Sequence, residues 1–254
     1  MQMKLFKALN LKNKELVCFV GAGGKSSLMG LLARECVKAG AKVLVTTTTQ
    51  MYYHQLKKCS PLVVLQQADN LLPMLNKHAE SNKILAAAST LLDNQKVIGL
   101  NKELLDHIHS SGMFDYILVE ADGARGKSIK VPSEHEPVLP SLTTTVLPVI
   151  GLDVLGCPLD GGHVHRSHLF SQAVGQREGE PVTEKTIIKM FLYYERVVRK
   201  TNPNVNWVPI LNKLDYLADK NEATRIAIQM ISLSTQQVLL TSTSSSQPVL
   251  EVVK

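Results

Sequence analysis

A glycine-rich turn lies between the first apolar run of the chain and a lysine that is followed by two serines. The apolar run is Val17–Val20, and Lys25, Ser26 and Ser27 stand directly after the turn. Glycines let the backbone bend tightly and bring its N–H groups close to phosphate oxygens, and the start of a helix adds a partial positive charge. Lys25 could then bridge the outer phosphates while the hydroxyl of Ser26 binds Mg²⁺. The pattern predicts a polyphosphate site, and the nucleotide-binding residues that it selects here are Gly21, Gly23, Gly24, Lys25, Ser26 and Ser27.

The turn departs from the common phosphate-loop pattern in its length. That pattern has a glycine where this chain has Phe19, and counted from Gly21 the loop is two residues short. One alternative is a plain strand-to-helix turn whose lysine points into solvent. Another is a dinucleotide-binding turn, which is disfavoured because Ser26 replaces its third glycine and because Thr46–Thr49 stands where an acidic residue is expected.

A second strand-like run ends in carboxylates. Tyr116–Glu120 is apolar up to Glu120, and Asp122 and Gly123 follow it. In phosphate-loop folds such a strand lies beside the strand that carries the loop, and its carboxylate holds Mg²⁺. Because alternation puts Glu120 and Asp122 on the same side, both are candidates for the metal, together with Ser26. The alternative is a buried strand that leads into an Asp-Gly turn without any ligand.

A late apolar run is followed by the sequence Asn212-Lys213-Leu214-Asp215. The spacing matches the Asn-Lys-x-Asp motif of GTP-binding proteins. A carboxylate at Asp215 can accept hydrogen bonds from the N–H and NH₂ edge of guanine, a donor pair that adenine lacks. Asn212 would contact the base or brace the loops, and the stem of Lys213 could cover the ring. The small residues of Leu240–Thr243 follow where such proteins place a loop against the base, so the pattern favours GTP.

Other polar residues have less specific patterns. Thr46–Thr49 follows the second strand, where a hydroxyl such as that of Thr48 could reach Mg²⁺ or a γ-phosphate, or the run is only a β-prone strand end. The irregular segments further on gather charged and imidazole side chains that are typical of a metal site or of a site for an anionic substrate or cofactor. We name these residues the loop cluster: Lys127, Glu134, His135, His163, His165 and Arg166, with Lys130 as the alternative to Lys127 in binding an anion.

Strand-like and helix-like patterns alternate along most of the chain and would position these groups. Helices are predicted over Ser26–Ala39 and Tyr216–Ile231, and strands over Tyr116–Glu120 and Trp207–Leu211. Such alternation predicts an α/β fold of the phosphate-loop NTPase type, with a mostly parallel sheet flanked by helices on both faces. We expect one nucleotide-binding domain over residues 1–254, in which the irregular and helical region 130–205 forms an inserted subdomain.

Composition narrows the class of protein. With 44% hydrophobic and 20% charged residues, the chain of 254 residues is typical of a globular protein with a sizeable core. The net charge of +6 is dispersed and aromatic residues make up 5%, which favours anionic small ligands over nucleic acid. No apolar run reaches the roughly 18 residues of a membrane span, and the first residues do not resemble a signal peptide. The four cysteines form no Cys-x-x-Cys pair, so we expect a cytoplasmic protein.

An ordered set of motifs resembles one protein family over roughly residues 5–250. The family is that of the selenium-dependent hydroxylase accessory proteins, the YqeC-like proteins, whose phosphate loop is shortened as it is here. Ser26-Ser27 stands where the family pattern has two threonines, which keeps the hydroxyl ligand. The segments that carry the resemblance are Phe19–Ser26, Val45–Thr49, Val119–Lys127, Glu134–Pro137, Val149–Gly156, Val164–Arg166 and Leu211–Asp215.

The resemblance implies a role in the maturation of molybdenum-containing, selenium-dependent hydroxylases or of their cofactor. It also implies a layout similar to that of nucleotide-driven metallocentre chaperones, which act as dimers with nucleotide at the interface. The partners expected are therefore GTP with Mg²⁺, a molybdenum cofactor or its precursor, a client hydroxylase and a second copy of the chain. Three activities stay open: slow nucleotide hydrolysis, transfer of a phosphoryl or nucleotidyl group to a pterin-type cofactor, and binding of a phosphorylated cofactor without turnover.

Overall fold

Eight α-helices are present in the computed structural model, which describes residues 4–245 and 248–254. Two single 3₁₀ turns, Leu152–Val154 and Leu214–Tyr216, accompany them. In chain order the helices are α1 (Leu5–Leu9), α2 (Lys25–Lys38), α3 (Tyr53–Cys59), α4 (Ala68–Ala79), α5 (Lys102–Ser111), α6 (Ser167–Val174), α7 (Glu184–Thr201) and α8 (Asn221–Leu233).

Fifteen β-strands alternate with the helices in the described part of the chain. Several of them have only two or three residues and belong to small sheets at the edge of the molecule. They are β1 (Glu15–Gly21), β2 (Val43–Thr47), β3 (Met51–Tyr52), β4 (Val63–Leu65), β5 (Ile84–Ala88), β6 (Thr90–Leu91), β7 (Lys96–Ile98), β8 (Tyr116–Glu120), β9 (Ile129–Lys130), β10 (Thr145–Gly151), β11 (Val164–His165), β12 (Asn206–Trp207), β13 (Ile210–Asn212), β14 (Val238–Thr241) and β15 (Val249–Val253).

The central sheet places β1, which carries the glycine-rich turn, between β8 and β10. Its order is β4-β5-β2-β8-β1-β10-β13-β14-β15, and β12 pairs with β10 beside this path. Neighbouring strands run parallel, except that β15 is antiparallel to β14. Since the carboxyl ends of parallel strands meet at one edge, the loops after β1, β8 and β13 lie together there.

Both faces of this sheet are covered by helices. In β1 the side chains of Leu16, Cys18 and Val20 pack on the face that carries α4 to α8, whereas Val17 and Phe19 pack on the face that carries α1 to α3. Every residue of β1 is buried, which accounts for its continuous apolar run. The prediction of a mostly parallel α/β sheet with helices on both faces is confirmed.

Two small sheets lie beside the central one. Strands β6, β7 and β3 form an antiparallel sheet after β2, and β9 pairs in parallel with β11. The second pair sets His165 opposite Lys130 and joins two segments that are distant in sequence. Its strand β11 lies within the 130–205 region, which also supplies β10 to the central sheet, and β9 lies at the start of that region. The division into one domain with an inserted subdomain stays a prediction.

Two predicted elements differ from the structure. The strand predicted over Trp207–Leu211 is interrupted, because Pro209 has no N–H group to donate to a neighbouring strand. The helix predicted from Tyr216 begins instead at Asn221, after a 3₁₀ turn that ends at Tyr216. The described helices include none that is both long enough and apolar enough to cross a membrane.

Candidate functional site

The turn after β1 has a conformation that requires glycine. Gly21, Gly23 and Gly24 have φ angles of 86°, 92° and 124°, in the region that side chains rarely adopt. A Cβ atom on Gly23 would lie 2.2 Å from the backbone nitrogen of Gly151 and 2.9 Å from the carbonyl oxygen of Ser128. The turn is therefore pressed against the end of β10, and any side chain at Gly23 would force the two segments apart.

Backbone amides at the start of α2 form a cluster of unused donors. Earlier in the turn the amides are already bonded, for example that of Ala22 to the carbonyl of Val149 at 2.8 Å. Helix geometry leaves the first amides of α2 without intrahelical partners, and they point along the positive end of the helix dipole. Within the described residues, the amides without a protein acceptor here are those of Gly24, Lys25, Ser26 and Ser27.

Lys25 lies inside this cluster and is only 4% exposed. Its ammonium group donates to the carbonyl oxygen of Gly21 at 2.6 Å and lies 3.1 Å from a carboxylate oxygen of Asp122 and 4.0 Å from one of Glu120. Burial alone would lower the pKa of Lys25, but the charges of Asp122 and Glu120 outweigh it and raise this pKa. The lysine is therefore charged at neutral pH.

Ser26 and the two carboxylates form a group of oxygen donors. The Ser26 hydroxyl donates to Glu120 at 2.7 Å and accepts a hydrogen bond from Gln55 at 3.2 Å. Register explains the proximity, because β8 pairs with β1 so that Glu120 lies opposite Phe19. Burial raises the pKa of Glu120, and the charge of Lys25 and the Ser26 hydrogen bond oppose that rise.

This donor set fits Mg²⁺. Mg²⁺ prefers hard oxygen ligands and takes one or two carboxylates together with phosphate oxygens and water. Ser26, Glu120 and Asp122 offer such oxygens next to the free amides. The Oδ1 atom of Asp122 is buried and receives no aligned hydrogen bond, although the Lys25 ammonium is at ion-pair distance. An oxygen in that state is a ready ligand for a cation.

Asp122 is the centre of a buried network that the sequence motifs do not reveal. Its Oδ2 atom accepts hydrogen bonds from the amide of Gly21 and from the Tyr194 hydroxyl, both at 2.9 Å, and lies 3.3 Å from the ammonium of Lys130. The side chains of Lys130 and Asp122 are fully buried. Sequence reasoning named Lys130 only as an alternative to Lys127 for an anion, and it gave no signal for Tyr194.

The network continues through Glu136 to Arg166. Lys130 donates to Glu136 at 2.6 Å, and the Arg166 guanidinium holds both carboxylate oxygens of Glu136, at 2.6 and 3.1 Å. Burial disfavours the charge on Glu136, but the hydrogen bond from Arg166 and the charge of Lys130 outweigh it and lower its pKa to about 2. Of the predicted loop cluster, Arg166 is thus joined to the phosphate loop through Glu136, Lys130 and Asp122.

The structure does not gather the rest of the loop cluster around one point. Glu134 and His135 are exposed, and Glu136, two residues further on, is the carboxylate that faces inwards. Lys127 donates to the carbonyl of Gly162 at 2.5 Å, and His163 bonds to Asp160 at 2.9 Å.

His165 and Thr48 complete the predicted positions. Burial and the nearby charges of Arg166 and Lys130 lower the pKa of His165 to about 4, so this imidazole is neutral at pH 7. The Thr48 hydroxyl donates to the carbonyl of Val138 at 2.8 Å. Across residues 4–245 and 248–254, no three His, Cys, Asp or Glu side chains come together as a metal site would require.

Asn212 ties the end of β13 to the phosphate loop. Its side-chain amide donates to the carbonyl of Gly23 at 2.8 Å and accepts a hydrogen bond from the Thr241 hydroxyl at 2.9 Å. The residue is fully buried. Of the two roles expected for Asn212, contact with the base and support of the loops, this geometry provides the second.

Asp215 and Lys213 lie on the outer side of Asn212. Asp215 is exposed and accepts a hydrogen bond from the Ser242 hydroxyl at 2.5 Å, so the segment after β14 meets the turn after β13. The ammonium of Lys213 bonds to Asp153 and to Ser128, both at 2.7 Å. Asp153, which sequence reasoning missed, therefore fixes the position of the lysine beside the phosphate loop.

Comparison with known proteins gives one family and one curated relative. The model of the family described as "YqeC protein" matches residues 17–168 of this chain. The uncharacterized protein YqeC of Escherichia coli (strain K12) is 34% identical over 166 residues, which is 65% of this chain and 62% of that protein. The matched part therefore spans less than two thirds of the length of the relative.

Solved structures to which this chain is similar include proteins of the signal recognition particle system. The 54 kDa protein from Aeropyrum pernix K1, solved in complex with GDP, is 16% identical, with a TM-score of 0.43 over 95% of this chain and 44% of that one. The receptor FtsY from Elizabethkingia anophelis is 14% identical, with a TM-score of 0.44 over 97% of this chain and 67% of that one.

Proposed function

This chain belongs to the YqeC family, and from that membership and the geometry of its loop we propose that it binds a nucleoside triphosphate, GTP, with Mg²⁺. The observation that carries the proposal is the meeting of three features at one edge of the sheet. They are the free amides at the start of α2, the buried charged Lys25, and the oxygen donors Ser26, Glu120 and Asp122.

The residues of the loop have separate roles in this proposal. The amides of Gly24 to Ser27 donate to phosphate oxygens, and the dipole of α2 favours their negative charge. Lys25 turns from Asp122 and Glu120 towards the outer phosphates. Ser26 with Glu120 or Asp122 holds Mg²⁺, which when bound supplies positive charge against the phosphates. Gly21 and Gly23 keep the turn compact enough for these contacts.

The residues after β13 that would contact the base support GTP over other nucleotides. Asn212 fixes the phosphate loop to the turn that carries Asp215, so phosphate and base sites are held at a set distance. Asp215 is exposed and keeps its second carboxylate oxygen available beside the Ser242 hydrogen bond. A carboxylate at this position accepts from the guanine edge, and adenine offers no matching pair of donors.

Calorimetric titration with GTP, ATP and CTP in the presence of Mg²⁺ tests the proposal. We expect GTP to bind at least about tenfold more tightly than the other two, as the loss of one charged hydrogen bond implies. Lys25→Gln should weaken GTP binding by about 10- to 100-fold on the same grounds. Lys38→Gln, at the exposed far end of the same helix, is the matched control. Equal binding of the three nucleotides, or none, would contradict the proposal.

The cellular role that we propose rests on the family. The protein acts in the cytoplasm in the maturation of a molybdenum- and selenium-dependent hydroxylase or of its cofactor, with the client enzyme and a second copy of the chain as partners. Slow hydrolysis of GTP would accompany this role. Copurification of the client with the wild-type chain, and its loss with Lys25→Gln, would support the role, whereas an unchanged yield of active client from cells that lack the protein would refute it.

A second function, group transfer to an acceptor, is favoured by one observation. A cavity of about 470 Å³ opens beside Ser26, where a second molecule would lie next to the outer phosphates. Incubation with GTP labelled on the γ-phosphate distinguishes the two functions. Hydrolysis gives labelled inorganic phosphate alone. When the acceptor is added, phosphoryl transfer gives a labelled pterin-type product, whereas nucleotidyl transfer releases labelled pyrophosphate.

A further inference from the structure

The cavity beside Ser26 lies between α2 and α3. Its volume of about 470 Å³ is within the range of small-molecule sites, which is roughly 300–1,000 Å³. Gly30 in the middle of α2 faces it, where a Cβ atom would lie 3.2 Å from the sulfur of Cys59 and 3.4 Å from the guanidinium of Arg34. Glycine inside a helix costs about 1 kcal/mol relative to alanine, and here it lets the two helices approach closely.

The wall of this α2–α3 cavity carries one sign of charge. Arg34, His54 and Lys58 line it, and no aspartate or glutamate does. In the part of the chain that the structure describes, none of the three forms an ion pair; the imidazole of His54 stacks on the ring of Tyr52 with 5.5 Å between the ring centres, and the charge of Arg34 acts on the Cys59 thiol. Two cations without an ion-pair partner, Arg34 and Lys58, at a concave surface raise the local concentration of anions, and the imidazole of His54 adds a polar group beside them.

The inner end of the cavity meets the proposed metal ligand. Ser26 and Gln55 line it, and their side chains are hydrogen-bonded to each other at 3.2 Å. The Ser26 hydroxyl also donates to Glu120 at 2.7 Å. A molecule in the cavity would therefore have its anionic end among Arg34, His54 and Lys58 and its other end near Ser26.

We propose that the α2–α3 cavity binds a second small molecule that carries a phosphate group, distinct from the nucleoside triphosphate. Its position beside the outer phosphates rests on the proposed nucleotide site. The binding of the phosphate group rests on the cavity and its three basic side chains alone. Such a ligand would be the acceptor in a transfer reaction or the phosphorylated cofactor that the protein handles.

Calorimetry with inorganic pyrophosphate as the probe tests this site. The measurement is made in the Lys25→Gln variant, so that the weakened phosphate loop does not bind the probe. If that variant does not fold, the wild-type chain saturated with a nonhydrolysable GTP analogue is used in its place. Adding Arg34→Gln and Lys58→Gln should weaken pyrophosphate binding by about 100-fold, since two charged donors are lost. Lys38→Gln with Lys57→Gln removes the same charge from exposed positions of the same helices and should change binding less than about threefold.

Three results would overturn the proposal. Pyrophosphate binding that vanishes with Lys25→Gln and with the GTP analogue would assign the probe to the phosphate loop alone. An equal loss in the Lys38/Lys57 control would show only an effect of net charge. A parallel loss of GTP affinity in the Arg34/Lys58 variant would assign the cavity to the nucleotide itself. Because the Lys25→Gln arm needs no nucleotide, absence of GTP binding would refute the proposed function and leave this test decisive.

Discussion

Replacement of Tyr194 by phenylalanine isolates one hydrogen bond to the buried carboxylate beside the phosphate loop. The Tyr194 hydroxyl donates to Asp122 at 2.9 Å, and the two residues are 3% and 0% exposed. Burial and the charge of Asp122 hold the pKa of Tyr194 well above its usual value of 10.0, so it donates as a neutral phenol throughout the neutral range. The substitution removes a single oxygen and leaves no cavity of consequence.

The expected loss follows from the charge of the acceptor. A hydrogen bond to a charged group contributes about 1.5–3 kcal/mol to the free energy of unfolding. Asp122 would keep the Gly21 amide at 2.9 Å and the Lys130 ammonium at 3.3 Å, so its charge stays partly compensated. We therefore expect Tyr194→Phe to lower the free energy of unfolding by about 2 kcal/mol, near the middle of that range.

Urea denaturation provides the assay, and Tyr193→Phe the control. Tyr193 is the preceding residue of α7, its ring lies 5.2 Å from the Arg196 guanidinium, and its hydroxyl has no hydrogen-bond partner among the described residues. Tyr193→Phe should change the free energy of unfolding by less than about 0.5 kcal/mol. The reasoning is refuted if Tyr194→Phe is equally mild at an unchanged denaturant slope, because Asp122 would then not depend on the phenol.

Three further predictions concern the loop, the base and the response to pH. Gly23→Ala should cost more than about 3 kcal/mol and abolish GTP binding, because its Cβ would lie 2.2 Å from the backbone of Gly151. Gly126→Ala, also at positive φ but in open space, should cost only about 1–2 kcal/mol in the same denaturation series. Asp215→Asn should abolish the preference for GTP over ATP in calorimetry, since it removes the guanine acceptor, and a retained preference would refute that role. Because the folded-state pKa of His165 is about 4 and its ordinary value is 6.5, the unfolded chain takes up this proton first, so stability falls from about pH 6.5 to 4. His165→Asn should remove that part of the slope, and an identical slope would contradict the assignment.

The parallel sheet with helices on both faces could be predicted from the sequence, because local hydrophobic patterns determine it. Continuous apolar runs such as Val17–Val20 and Tyr116–Glu120 suit strands that are buried on both faces, and the helical patterns between them force a parallel sheet. Errors occurred where one residue overrides a pattern. Pro209 interrupts the predicted strand Trp207–Leu211. The helix predicted from Tyr216 does not begin there, because Leu217 is extended, with φ of −85° and ψ of 134°, and it starts at Asn221 instead.

The residues of the candidate site also differ in whether a local sequence pattern could predict them. Lys25 and Ser26 were selected by the phosphate-loop pattern, and Asp122 by the carboxylates that follow the run Tyr116–Glu120. The structure brings these residues within hydrogen-bonding distance of one another or of Glu120. The sequence offered Lys130 only as an alternative to Lys127 in an anion site, and it did not select Tyr194 at all. Their roles depend on how α7 and the β9–β11 pair pack over Asp122, and no spacing in the sequence encodes that contact.

The choice between Glu134 and Glu136 shows why residue type alone cannot identify a partner. Both carboxylates belong to the same short motif, and a sequence offers no reason to prefer either one. Glu136 is selected by Lys130 and Arg166, two cations that are buried or partly buried and must be paired if they are to remain charged. The pairing thus follows from desolvation of the cations, which only the folded structure reveals.

Because buried charges must be paired, nucleotide binding in the proposed function has to break contacts that already exist between charged groups. Lys25 is paired with Asp122 and Glu120, and the Ser26 hydroxyl is bonded to Glu120, so the groups proposed for phosphate and Mg²⁺ already satisfy one another. A triphosphate with its metal would exchange these contacts for new ones rather than add to them. The measured affinity is then a difference between two sets of charged contacts. Lys25→Gln removes a favourable contact from both sets, which is why its effect on GTP binding is expected to be closer to tenfold than to the full strength of a lysine–phosphate pair.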